Sequence, residues 1–191
     1  GDITVDATTT NTRIRVGGIA AKIQDGTLNL NNKGDISVAG SYASSVYVSG
    51  IVALTNGYNR TNLLNEGNIT VSAKGATCYI GGIYTNGAWD YGQNNVVNKG
   101  NLTASKDAQF SNSVFMGGII ALRSNGKSGS GQPMKFTNGC YNSGNITFSG
   151  TCSTADVTDT SAYSPNYNLC MGGLVGQSRT ESSTSYGIRA D

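Results

Sequence analysis

The feature that most restricts this chain is a recurrence. Asn-x-Gly-[Asp/Asn]-[Ile/Leu]-[Ser/Thr] appears first as Asn32-Lys33-Gly34-Asp35-Ile36-Ser37, then as Asn65-Glu66-Gly67-Asn68-Ile69-Thr70. It returns as Asn98-Lys99-Gly100-Asn101-Leu102-Thr103 and Asn142-Ser143-Gly144-Asn145-Ile146-Thr147, and Gly1-Asp2-Ile3-Thr4 is its second half. Gly1, Gly34, Gly67 and Gly100 are 33 residues apart, and Gly144 follows after 44. A fixed period of this length marks a repeat architecture, in which one unit cannot bury its own apolar face and must stack on the next.

Between copies lies a second motif, apolar-x-apolar followed by a glycine pair and another apolar residue. Its members are Ile14–Ala20 (IRVGGIA), Val46–Val52 (VYVSGIV), Cys78–Tyr84 (CYIGGIY), Val114–Ile120 (VFMGGII) and Leu169–Val175 (LCMGGLV). The alternation is that of a strand with one buried face. A third apolar run, Leu28-Asn29-Leu30 and its counterparts at 62–64, 95–97 and 140–141, precedes each asparagine turn. No helical spacing of apolar residues intervenes. The expected fold is therefore all-β: a single-stranded parallel β-helix (β-solenoid) with right-handed winding, about five rungs and three short strands per rung. Rungs start near residues 1, 34, 67, 100 and 144 of one domain spanning 1–191. Insertions are expected at 124–135 and 151–168, and 177–191 reads as a cap or a truncated rung.

Aligning the copies gives inward columns, Ile3/Ile36/Ile69/Leu102/Ile146 and Val16/Val48/Ile80/Met116/Met171 among them. Asn32, Asn65, Asn98 and Asn142 should stack as an amide ladder at a corner, with Gly34, Gly67, Gly100 and Gly144 supplying positive φ. An outward column of Arg15, Tyr47, Tyr79, Phe115 and Cys170 has two readings. Tyr47, Tyr79 and Phe115 could stack on a sugar or protein partner, or on one another to fill the pleat.

Net charge is +2 with 13% charged residues, so nothing points to nucleic acid, and no apolar run is long enough to insert in a membrane. With no histidine and no close cysteine spacing, no metal site and no cofactor are expected. Cys152 and Cys170 flank the last insertion and are a candidate disulfide. Asp25, Asp90, Asp107, Asp156 and Asp159 scatter through expected loops, without the facing carboxylate pair a glycosidase needs.

Gly172-Gly173-Leu174-Val175-Gly176, with the first halves at Gly17, Gly81 and Gly117 and a looser copy at Ser49, resembles the GLUG-repeat class of bacterial surface proteins. That resemblance implies a β-helical, non-catalytic region of an adhesin or immunoglobulin A peptidase, placed outside the cell or on its surface. The function expected is an adhesion, binding or spacer module, with a host glycan or surface protein as partner. A carbohydrate-active β-helix fragment is the alternative, since β-helices also host polysaccharide lyases and glycosidases.

Overall fold

The computed structural model describes residues 1–9, 13–23, 27–55, 59–87, 92–124, 134–153, 169–179 and 188–190. It contains strands and no helix among them, wound as a parallel β-solenoid. Each coil lays one strand on each of four sheets, and every strand pairs with its counterpart in the next coil. In the coil beginning at Ile36 these are Ile36–Tyr42, Val46–Ser49, Val52–Thr55 and Asn59–Asn65. Each sheet is five strands deep along its main path. Three inner coils are thus sandwiched on both sides in all four sheets, between two end coils.

The repeat period translates directly into register. Ile3 pairs with Ile36, Ile36 with Ile69, Ile69 with Leu102, and Leu102 with Ile146. The step of 44 residues does not disturb this. Comparing paired positions, three of the eleven extra residues fall at the corner between first and second sheets. Seven fall between third and fourth sheets, and one forms a bulge at Gly139, where φ is +80°. The expectation of a single insertion over 124–135 is corrected accordingly. Of the insertion at 151–168, only 151–153 are described. Val175–Arg179 and Ile188–Ala190 join the third and fourth sheets, so these parts of 177–191 continue the fifth coil.

Four strands per coil replace the expected three. The second motif reads as one apolar run, but the chain turns at its glycine pair and its two halves enter different sheets. This corner approaches the asparagine corner on the far side of the coil. A Cβ placed on Gly50 would lie 2.3 Å from Asn65 Cγ, on Gly82 2.5 Å from Asn98 Cγ, and on Gly118 2.5 Å from Asn142 Cγ. Only hydrogen fits there. The coil is pinched at this waist, and its apolar residues divide into two cores. One lies between first and second sheets, around Ile36, Val38, Val48, Ile69, Ile80, Leu102 and Met116. The other lies between third and fourth sheets, around Ile51, Leu63, Ile83, Val96, Ile119 and Phe136.

The wall between the cores is the asparagine ladder. Asn32 is 6% exposed, and Asn65 and Asn98 are fully buried. The amide Nδ2 of Asn32, Asn65 and Asn98 each donates twice, and that of Asn142 once. One bond goes to the next coil's Oδ1, from Asn32 to Asn65 at 2.9 Å, Asn65 to Asn98 at 2.8 Å and Asn98 to Asn142 at 2.7 Å. The other goes to the carbonyl two residues on, at Gly34, Gly67, Gly100 and Gly144, over 2.8–2.9 Å. In Asn32, Asn65 and Asn98 both amide hydrogens are used, as burial demands.

The four turn glycines do not take the positive φ expected of them. The described glycines that do are Gly40 and Gly139. Gly67 is required instead because a Cβ there would sit 1.9 Å from the Gly34 carbonyl oxygen of the coil before. Close stacking, not handedness of the backbone, selects this residue.

Candidate functional site

With the interior filled, chemistry for a partner must come from the outward columns, and two stand out. The first is the aromatic column of the second sheet. Tyr47 and Tyr79 stack with centroids 4.6 Å apart and planes 6° from parallel, and Tyr79 stacks on Phe115 at 5.1 Å and 17°. The Arg15 guanidinium carbon lies 5.5 Å from the Tyr47 ring centroid, in cation–π range. The reason is register. Adjacent strands hold these side chains one strand spacing apart, about 4.8 Å, and planar rings at that distance close upon each other. The stacked faces of Tyr47 and Tyr79 are therefore taken, and Phe115 is only 3% exposed. Of the two readings of this column, the geometry is that of mutual stacking.

The second column lies on the fourth sheet and was not singled out in the sequence. Asn29, Asn62, Asn95 and Asn138 all have positive φ, between 51° and 58°. Asparagine tolerates this left-handed conformation better than other residues with a Cβ. The bend interrupts alternation, so that Arg60 and Leu63, three apart, both point inward and Leu64 points out. The signal was present as an asparagine recurring 33 residues apart inside an apolar run. Asn62 Nδ2 donates to Asn29 Oδ1 at 2.8 Å and Asn95 Nδ2 to Asn62 Oδ1 at 2.9 Å, in an exposed ladder.

Beside that ladder runs the register Asn31, Leu64, Val97, Tyr141. The two columns border an open trough of about 400 Å³. Its apolar side starts at Leu64, passes over Val97, which is 6% exposed, and ends in Tyr141, which is 44% exposed. Lys99 lies at the margin, 3.6 Å from Glu66, and Glu66 also pairs with Lys33 at 3.7 Å.

Two of the described acids, Asp2 and Asp35, serve the fold. Asp2 Oδ1 accepts the Asp35 backbone N–H at 2.9 Å, and Asp35 Oδ1 accepts that of Asn68 at 2.7 Å. Asn68 and Asn101 continue the pattern, so this outward column caps each turn from the coil before. Asp107 sits in a turn of its own, its N–H donating to Ser105 Oγ at 3.2 Å. Asp25, Asp90, Asp156 and Asp159 lie outside the described residues. Among the described residues, no three His, Cys, Asp or Glu side chains gather where they could hold a metal ion.

The candidate disulfide is not formed. All four cysteines are free. Cys170 takes the Phe115 position on the outer face of the second sheet, whereas Cys152 packs against the core behind the first. The two thiols sit on opposite sides of a sheet. Cys78 is fully buried, and desolvation pushes its thiol well above the ordinary range. Cys140 packs against the second core, its Sγ accepting the Val96 N–H at 3.3 Å.

Also unforeseen are two buried arginines, Arg60 at 1% and Arg123 at 2% exposure, near the corner between third and fourth sheets. Arg60 Nη2 donates to Thr55 Oγ1. Compared with known proteins, the chain matches no family model, no curated protein and no solved structure.

Proposed function

We propose that this chain is a non-catalytic binding module of adhesion type, from a secreted or surface-bound bacterial protein. The observation that carries this reading is the trough on the fourth sheet. It is an outward lane of amides and apolar side chains, repeated in register, on a scaffold whose interior amide ladder is hydrogen-bonded. Such a surface recognises without reacting. Of the described acids, Asp2 and Asp35 cap turns and Glu66 pairs with lysines, which leaves these three poorly suited to proton transfer at a scissile bond. The resemblance of Gly172–Gly176 to the GLUG signature supports the location and the adhesive role.

The test is to immobilise the chain and pass over it a panel of polysaccharides and purified matrix glycoproteins, while assaying the same polysaccharides for new reducing ends. Saturable binding without product release is expected. Release of product would replace the binding module with the carbohydrate-active alternative, and binding to nothing on the panel would leave only a spacer.

A further inference from the structure

Resting on that reading, we infer that the trough of the fourth sheet is a subsite for an uncharged glycan chain lying along the solenoid axis. Three properties of the lining select this occupant.

The first is the state of the amides. In the ladder Asn29, Asn62, Asn95, each internal bond uses one Nδ2 hydrogen and one Oδ1 lone pair. A side-chain amide has two hydrogens and two acceptor lone pairs. Each of these three coils therefore offers an outward donor beside an outward acceptor, fixed in direction by the ladder. Hydroxyl groups both donate and accept, so a row of sugar hydroxyls can answer such a row amide by amide.

The second is the apolar side. The half-buried Leu64 gives a place against which the C–H face of a sugar ring can rest, Val97 at 6% exposure forms the floor beyond it, and Tyr141 closes the lane with an exposed ring. Tyr47 and Tyr79 each have an aromatic neighbour in register, whereas the residue before Tyr141 in register is Val97. Aromatic rings bind the apolar faces of otherwise polar ligands in this way.

The third is charge and backbone. Among the described residues, the one charged side chain lining the trough is Lys99, which shares Glu66 with Lys33, so the lane carries at most a single net positive charge at its margin and no run of charge to match a polyanion or a polycation. An extended peptide would need a free strand edge for main-chain bonding. Here Asn59–Asn65 and Gly92–Asn98 are paired on both sides. Along these strands a peptide has nothing to add to, and the open edge of Thr27–Asn32 lies at the end of the sheet, not along the lane. The lane runs from Asn29 to Tyr141 across four coils, or roughly 14 Å at the strand spacing, room for a short run of sugar units.

The experiment titrates the chain with neutral hexasaccharides of glucose, mannose, galactose and xylose in α and β linkages, beside oligogalacturonate as an anionic control, by calorimetry. At least one neutral oligosaccharide is expected to bind. Tyr141→Ala and Asn62→Gly, the latter keeping the left-handed backbone at no steric cost, should each weaken it about tenfold or more. Tyr47→Leu should leave it unchanged. No neutral binder, binding only of the anionic oligomer, or binding indifferent to both Tyr141→Ala and Asn62→Gly would overturn the inference. A chain that binds matrix glycoproteins through their protein portion, after the glycans are removed, would refute the glycan subsite and leave the binding module standing.

Discussion

At Asn65 one side chain holds four things at once: its own turn through the Gly67 carbonyl, the coil before through Asn32, the next coil through Asn98, and the opposite corner through contact with Gly50. Removing a buried polar partner leaves the others unsatisfied, at about 1–3 kcal/mol per group. Asn65→Ala should therefore cost about 2–4 kcal/mol, read from urea unfolding midpoints. Asn65→Asp keeps the shape but loses both donors and buries a charge, so it should cost more. Across the waist, Gly82→Ala should destabilise by about 1–3 kcal/mol or more, because its methyl group meets the Gly118 carbonyl oxygen and Asn98 at once. The asparagine column was legible from spacing alone. Its place in the interior was not, because a polar residue beside glycine reads as an exposed turn until the opposite corner is seen to reach it.

Single strands here are too short to persist alone and derive their stability from the neighbours above and below. That makes side-chain columns the natural unit of energetics. Tyr79 lies between two rings, each such pair contributing about 0.5–1.5 kcal/mol beyond its buried area. Tyr79→Ala should lower the melting temperature by several degrees without affecting glycan binding, which separates the structural stack from the trough. Ile83→Asp places a carboxylate in the second core at a fully buried site. It should unfold the inner coils, seen as loss of the far-ultraviolet strand signal at room temperature. The columns containing Ile36, Val48 and Ile83 could be read from the sequence because each repeats an apolar type at a fixed step. The corner inside the glycine motif could not, since Val48 and Ile51 are both apolar and nothing local says that the chain turns between them. The bend at Asn62 was hidden for a related reason. Left-handed asparagine shifts the alternation by one residue, and a strict period of two passes over it.

The whole molecule carries almost all of its described interior polar bonding between uncharged groups. With no histidine in the chain, no side chain has an ordinary pKa between about 5 and 8. Stability should be flat across that window. It should fall on the alkaline side for a stated reason. Cys78 is raised by desolvation, and Tyr42 is raised by desolvation and then by the charge of Asp6, against a smaller opposing backbone hydrogen bond. Both groups ionise more readily in the unfolded chain. Their contribution is complete below the unfolded thiol range, about pH 8.5, and is lost as pH rises beyond it. Melting curves from about pH 5 to about pH 10.5 should show a plateau and then a decline, and Cys78→Ala should make the decline shallower. Alkylation with iodoacetamide at about pH 8 should leave Cys78 unmodified until denaturant is added.

The ladder of amides through the waist has one more consequence, for the settings in which such a coil can serve. Neutral dipoles bonded to one another are not weakened by dissolved ions, as exposed pairs such as Lys33 with Glu66 are. A coil held together in this way keeps its shape in brine and in fresh water alike, and presents the same outer lanes in both.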